Sequence, residues 1–157
     1  MDGTSLQGDT MYTPHVITLI NVSENADETL SYNATVLDSV FLDTAKATNS
    51  GKAGLTDADT ATLFIPFTTV GKSLTGREKA YFPPMAYEKL TDKSIAWTLK
   101  DGGETSAVEC FFVKGNISEP GSYDDMKREY DYVYAVTRVL LRDFGSPAMQ
   151  HFQVGAR

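Results

Sequence analysis

The side chains that could do acid–base, nucleophilic or metal chemistry are few in this sequence and form no known motif. The chain has two histidines, His15 and His151, and one cysteine, Cys110, too few nitrogen and sulfur ligands for a zinc site. Cys110 lies among apolar residues, so we expect a buried small side chain rather than a reactive thiol. The sequence contains no GxSxG, GxGxxG or GxxxxGK[ST] run, which argues against the corresponding hydrolases and nucleotide-binding loops.

Carboxylates are common, and two pairs stand out: Asp57 with Asp59, and Asp124 with Asp125. Both pairs lie in loop or helix-start sequence, where acids solvate turns and stabilise helix N-termini. An EF-hand calcium loop needs a longer series of acids and a distal glutamate, which the first pair lacks. A glycosidase needs two acids that face each other across a cleft, and the sequence singles out no such pair. We therefore expect no cofactor, no metal and no enzymatic activity; a hydrolase using unassigned acids remains an alternative.

Length and composition indicate one soluble globular domain. The chain has 157 residues, of which 41% are hydrophobic and 22% charged, enough for one well-buried core without disulfides. Residues 1–10 are polar and are expected to be a disordered leader, with the domain over 11–157. The formal net charge of −7 without a basic run argues against a protein that grips DNA. No apolar run is long enough to span a bilayer, so we expect no membrane contact.

The stretch 94–115 has the clearest strand pattern in the chain. Ile95, Trp97 and Leu99 alternate with small or polar residues, the period of two that is typical of a half-buried strand. A turn rich in glycine and charged residues follows at 100–104, and 108–113 alternates again. The pattern predicts a β-hairpin. Because it carries the one tryptophan and the one cysteine of the chain, we expect it in the interior of a sheet.

Similar patterns predict the elements before and after this hairpin. Strands are predicted over 15–22, 30–43, 61–67, 78–82, 131–143 and 149–154, and short helices over 84–90 and 123–130. The second strand is long enough to carry a bulge, and Pro66 suggests that the third strand ends there or lies at an edge. The sum is a mainly β protein, a small β-barrel or sandwich of seven to eight strands with one or two short helices.

Two further stretches could serve in binding. The segment 44–60 has Leu55 as its one large apolar residue, and a loop of that length is usually either functional or disordered; it is a reaching arm or a tolerated insertion. A second stretch, near the C-terminus, is rich in tyrosine, which suits protein interfaces but is also common on barrel strands. Its candidate interface residues are Tyr123, Tyr130, Tyr132 and Tyr134.

Several segments together carry a resemblance to a known family. They are HVITLINV, VLDSVFLDTAKATNSGKAG, KAYFPPMAYEKL, TDKSIAWTL, CFFVKG and RDFGSPAMQHFQVG. The chain resembles small prophage-encoded proteins of Gram-positive bacteria and is similar to the neck proteins of long-tailed phages, the head-to-tail connector, head-closure or stopper proteins. The likeness runs from about Met11 to Gly155. It covers the whole predicted domain.

The resemblance implies a small β-barrel that assembles as a ring between the portal with its adaptor and the tail, in the host cytoplasm and then in the virion. In stopper proteins a long loop between early strands points into the channel and holds the packaged DNA. The matching segment here is 44–60, where Lys46 and Lys52 would face DNA in at most transient contact. The candidate channel-loop residues are Lys46, Asn49, Lys52, Asp57 and Asp59.

Two alternatives stay open. A tail-terminator or tail-completion protein would share the same composition. A small-molecule or carbohydrate-binding β-barrel would also share the strand pattern, but it should have a deep apolar pocket with a few convergent polar groups. A connector should instead have a filled core and adhesive outer surfaces.

Overall fold

A computed structural model describes residues 12–44, 61–102 and 108–157. The predicted leader 1–10 and most of the predicted long loop 44–60 lie outside these residues. Two short helices are present, α1 (Pro84–Glu88) and α2 (Tyr123–Glu129). The strands are β1 (His15–Glu24), β2 (Leu30–Thr44), β3 (Ala61–Pro66), β4 (Gly71–Lys72), β5 (Glu78–Tyr81), β6 (Ala96–Trp97), β7 (Cys110–Lys114), β8 (Val133–Arg142) and β9 (His151–Ala156).

Six antiparallel strands close into a barrel because β1 pairs along both of its edges. The order is β1-β7-β8-β9-β3-β2, and β2 returns to pair with β1. The predicted bulge is present in this closing pair: His15 pairs with Val40 but Ile17 pairs with Leu37, so β2 carries one extra residue. The prediction of a mainly β protein, a small β-barrel or sandwich with one or two short helices, is confirmed as a barrel, but the described residues form nine strands rather than the predicted seven to eight.

The barrel interior is filled by side chains of its six strands together with Trp97 and Leu99, which belong to the same buried cluster. Alternate residues of each strand point inward, as the period of two requires. Phe112 is fully buried in this interior, whereas its neighbour Phe111 points outward and is buried under α2 together with Met126. The main core contains Ile17, Leu19, Leu37, Val40, Leu63, Ile65, Phe112 and Val154, all fully buried.

Helix α2 begins where its sequence provides a cap. The side chain of Ser122 accepts a hydrogen bond from the amide of Asp125 at 3.1 Å, and Asp124 and Asp125 occupy the first turn. Acids there interact favourably with the free amides of a helix N-terminus. This placement confirms that the pair Asp124 and Asp125 belongs to a helix start.

A smaller layer, which we call the annex and define as residues 71–98, packs against the barrel core through Tyr81 and Trp97. It extends the sheet beyond β2 in the order β4-β5-β6 and includes α1. Its last strand runs parallel to β5, with Ala80 opposite Ala96 and Tyr81 opposite Trp97. The annex therefore brings Tyr81 and Trp97 side by side against the barrel wall.

The predicted hairpin over 94–115 is wrong. Residues 96–97 pair with β5, and β7 pairs with β1 on one edge and with β8 on the other. Both edges of β7 are thus occupied inside the barrel, which leaves no hydrogen-bonding edge for β6. The two-residue strand β4 was also not predicted, because 68–76 has the composition of a polar loop. The other predicted strands and both helices are confirmed, with ends shifted by a few residues.

Candidate functional site: an apolar groove beside a buried polar network

A groove of about 720 Å³ lies between the annex and the barrel strands β3, β8 and β9. Its floor is made of three aromatic side chains, Tyr81, Trp97 and Phe152. The ring centroids of Tyr81 lie 5.0 Å from Trp97 and 4.7 Å from Phe152. At these separations the rings pack against one another as tilted or edge-on pairs, so the floor is a continuous apolar surface. We refer to this feature below as the groove.

The rim of the groove is apolar and exposed. Its members are Phe67, Val70, Ile95 and Leu141, which are between 36% and 57% exposed. Phe67 also contacts the floor, with its ring centroid 4.8 Å from that of Phe152. A contiguous apolar surface of this kind on a folded domain usually marks a binding site.

Two charged residues line the groove, one of them exposed and the other buried and hydrogen-bonded. Glu78 is exposed, and no partner of its carboxylate is present in the described part of the chain. Lys79 is only 5% exposed. Its Nζ donates to Asn33 Oδ1 at 2.6 Å and to the backbone carbonyl of Ala34 at 2.9 Å, so its charge is directed toward β2. Burial lowers the pKa of Lys79 to about 8, because no carboxylate compensates its loss of hydration.

The side chain of Asn33 connects the barrel to the annex. Its Oδ1 accepts from Lys79, and the two hydrogens of its Nδ2 are shared among three acceptors, the hydroxyl of Tyr87 at 2.9 Å and the backbone carbonyls of Lys93 at 2.8 Å and Ala96 at 2.9 Å. One amide on β2 therefore holds β5, α1 and the chain that leads into β6. Burial raises the pKa of the Tyr87 hydroxyl, and the bond from Asn33 partly opposes this.

Asn21 holds the same segment from the neighbouring strand. It pairs directly with Asn33 in the β1–β2 register, so both side chains point to one face. Its Nδ2 donates to the carbonyl of Thr98 at 3.0 Å, and its Oδ1 accepts from the amide of Thr98 at 3.2 Å. The side-chain amide thus replaces a backbone partner for Thr98 and satisfies both backbone polar groups of that buried residue. Together the two asparagines hold the groove-lining segment 93–98.

Sequence reasoning did not find this polar network. In the sequence, Asn21 and Asn33 each begin an Asn-X-Ser/Thr triplet, a pattern that gives no indication of burial. Asn21 is 98% buried and Asn33 makes four hydrogen bonds, so both amides are engaged inside the fold. The sequence did contain one indication of the network, because Asn21 shares a strand face with Ile17 and Leu19. A polar amide on a core face needs hydrogen-bonding partners.

Close packing at Gly71 fits the annex to the barrel. A Cβ at Gly71 would lie 2.7 Å from Trp97 Nε1 and 2.7 Å from Thr35 Cγ2. Gly71 is therefore required because only a residue without a side chain allows β4 to approach the indole this closely. The indole N–H of Trp97 is buried and has no hydrogen-bond partner in the described residues. The floor of the groove is accordingly held by packing rather than by a hydrogen bond from the indole.

The structure separates the four candidate interface tyrosines. Tyr123 packs edge-on against Phe111 at 5.4 Å, Tyr130 is partly buried in the same cluster under α2, and Tyr134 packs against the barrel core. Tyr132 is 55% exposed. The ammonium group of Lys114 lies 5.3 Å from the centroid of its ring. Of the four candidate interface tyrosines, Tyr132 is the most exposed and is therefore the one most accessible to a partner.

The candidate channel-loop residues cannot be placed relative to the groove, because Lys46, Asn49, Lys52, Asp57 and Asp59 lie outside the described residues.

The residues first considered for chemistry have structural roles. Cys110 is buried, which raises the pKa of its thiol to about 11 and keeps it protonated. His15 Nδ1 accepts from the amide of Leu42 at 2.9 Å, and His151 Nδ1 donates to the carbonyl of Met149 at 2.8 Å. In the described ranges, no group of three or more His, Cys, Asp or Glu side chains could hold a metal ion.

Comparison with protein-family models gives one match. The model of one family, described as a family of unknown function (DUF6751), matches residues 12–157. The chain belongs to DUF6751. This match includes every strand and helix described above, so the barrel and the annex are both parts of the DUF6751 domain. No curated protein and no solved structure matches the chain.

The DUF6751 domain contains no helix, in the residues that the structure describes, that is long and apolar enough to cross a membrane. Among the described residues, the groove combines an aromatic floor with an exposed apolar rim, which is the chemistry of a binding site.

Proposed function

We propose that this DUF6751 protein is a structural protein of a phage particle, a head-to-tail connector or head-closure component that acts through protein–protein contacts. The observation that carries the proposal is where apolar surface lies. The barrel core is filled by buried side chains of the barrel and of the annex, among them Ile17, Trp97 and Val154, whereas the rim of the groove exposes apolar side chains to solvent. A small barrel that encloses a ligand keeps its cavity inside the strands. A subunit that joins other subunits needs adhesive outer surfaces.

The resemblance to phage neck proteins supports the same proposal. A connector subunit would form a ring through head-to-tail contacts that close under cyclic symmetry. Its partners would be further copies of this chain, the portal with its adaptor, and tail proteins. The rim residues of the groove and Tyr132 are the surfaces available for such contacts, since both are exposed and apolar in the free chain. The proposed holding of packaged DNA rests on the segment 44–60 alone.

The test is mass spectrometry of phage particles purified after induction of the strain that carries this gene. A low, fixed ratio of this protein to the portal subunit supports a place in the neck. Deletion of the gene should then give filled or leaking heads without attached tails, and a copy of the gene supplied in trans should restore joining. Absence of the protein from intact particles would refute the proposal. Its recovery with free tails would instead indicate a tail-terminator or tail-completion protein.

The volume of the groove favours a second candidate function, the binding of a small apolar molecule. About 720 Å³ falls within the range of roughly 300–1,000 Å³ that ligand pockets occupy. In this case the protein purified from its host would carry a bound compound, which native mass spectrometry detects as added mass. Substituting the floor residue Phe152 by alanine should remove that mass.

A further inference from the structure

We propose that the groove binds a peptide segment of a partner protein, and that this segment places a bulky apolar side chain on the aromatic floor and a lysine or arginine beside Glu78. The inference deepens the proposed function and rests on it in one respect, that the protein acts by binding other proteins. It adds the chemistry of the partner and the residues that recognise it.

The floor determines the apolar part of the partner. Tyr81, Trp97 and Phe152 form a continuous surface of tilted and edge-on rings, with centroids between 4.7 and 6.4 Å apart. The side chains that gain most by covering such a surface are large and apolar, such as leucine, methionine or phenylalanine. Because the rim residues Ile95 and Leu141 are about half exposed, the groove is open along its length. A chain segment can therefore lie in it, with one side chain on the floor.

The charges of the groove determine the polar part of the partner. Glu78 lines the groove and is exposed, and its carboxylate has no partner among the described residues. Lys72 stands opposite Glu78 in the β4–β5 register, yet the two side chains form no ion pair within the described residues. The other lining cation, Lys79, is turned away and bonded to Asn33 and Ala34. The groove thus offers a partner one free negative charge, and the chain as a whole carries −7. A basic side chain complements both.

The single tryptophan of the chain makes the test direct. Trp97 is the only tryptophan and forms part of the floor, so in the folded protein its emission responds to a ligand that covers the floor. The probes are two synthetic hexapeptides with blocked ends, glycine-lysine-leucine-phenylalanine-lysine-glycine and the same peptide with both lysines replaced by glutamate. Each is titrated into the full chain at low salt while the emission of Trp97 is followed.

We expect the lysine peptide to shift the emission saturably, with a Kd on the order of 100 μM, typical of a short flexible ligand. The glutamate peptide should bind about threefold to fivefold more weakly, the size of an exposed charge pair. The substitution Glu78→Lys should reverse this order, and Leu141→Ser should weaken both peptides alike. Met85→Ser is the matched control, because Met85 is exposed but lies outside the groove, and it should change neither affinity.

Three results would overturn the inference. The first is equal or tighter binding of the glutamate peptide to the unchanged protein, and the second is an unchanged preference in Glu78→Lys. The third is a lack of binding by either peptide at millimolar concentration. In that third case, sedimentation of the free protein shows whether Leu141→Ser abolishes self-association, which would assign the groove to a second copy of the chain. If neither peptide binds but the protein is present in phage particles, the proposed function stands and the peptide-binding inference is wrong. If the lysine peptide binds but the protein is absent from phage particles, the proposed function is wrong and the inference that the groove binds peptides stands.

Discussion

Replacing Lys79 by methionine should change how the stability of the protein depends on pH. Burial lowers the pKa of Lys79 to about 8 from its ordinary value of 10.5. A difference of that size corresponds to about 3 kcal/mol of free energy between the charged and neutral forms. The figure is an upper one, because the hydrogen bonds from the amine to Asn33 and Ala34 favour its charged form and offset part of the desolvation.

The sign follows from proton binding in the two states. The folded pKa lies below the unfolded one, so between about pH 8 and 10.5 the unfolded chain holds a proton that the folded chain has released. The free energy of unfolding therefore rises with pH in that window. Below pH 8 both states are protonated, and the full cost of burying the charge is present. From pH 7 to pH 9 the contribution of Lys79 amounts to about 1.4 kcal/mol in favour of the folded state.

The assay is urea unfolding at pH 7, 8 and 9, followed by the fluorescence of Trp97. The unchanged protein should gain up to about 1.4 kcal/mol more over this range than Lys79→Met does. The readout is the difference in slope when the free energy of unfolding is plotted against pH. Removing the amine also leaves Asn33 Oδ1 and the carbonyl of Ala34 without this partner, which shifts the stability equally at every pH and leaves the slope unaffected. Lys89→Met, which alters an exposed lysine of the annex, is the control and should keep the slope of the unchanged protein. Parallel curves for the unchanged protein and Lys79→Met would refute the reasoning.

Three further predictions concern packing, the polar network and backbone conformation. Gly71→Ala should destabilise the fold by about 1–3 kcal/mol, because its Cβ would lie 2.7 Å from Trp97 Nε1; a calorimetric melting temperature equal to that of the unchanged protein would contradict this. Asn33→Ala should cost about 2 kcal/mol or more in urea unfolding, since several buried groups lose their partner, while Asn116→Ala at an exposed site should be neutral; equal losses would exclude a special role for Asn33. Glu28 has a φ of 72°, so Glu28→Gly should stabilise the protein by about 0.5–1 kcal/mol, and a lower urea midpoint would show that the backbone there carries no strain.

Local pattern in the sequence predicted which segments are strands but not which strands are neighbours. The alternation in β1, β2, β8 and β9 was sufficient, because a period of two fixes the buried face of a strand. The same alternation around Trp97 suggested a hairpin with 108–113, and this failed. Periodicity does not indicate which strand pairs along each edge, and both edges of β7 are taken, by β1 from the start of the domain and by β8 beyond α2. Pairing of that kind depends on how the barrel closes.

The groove was harder to predict because no segment of the chain contains it. Tyr81, Trp97 and Phe152 come from three separate strands, and each taken alone reads as an ordinary core residue. The tyrosine-rich stretch did attract attention, but most of its rings are used in packing and Tyr132 is the exposed one. A local cluster of aromatic residues is therefore a weaker sign of an interface than an aromatic surface assembled by the fold.

The link between the groove and the polar network explains why buried amides occur at Asn21 and Asn33. In the described fold, β1 is paired along both edges, with β2 and with β7, so it has no backbone groups free to hold the segment 93–98. Side-chain amides supply donors and acceptors perpendicular to the sheet, which a strand edge does not. They position Ile95 and Trp97 over the barrel without opening it. A buried lysine is tolerated beside them because Oδ1 of Asn33 accepts a hydrogen bond from its amine. We infer that the network fixes the shape of the groove, so that substitutions at Asn33 should weaken peptide binding even where the barrel itself remains folded.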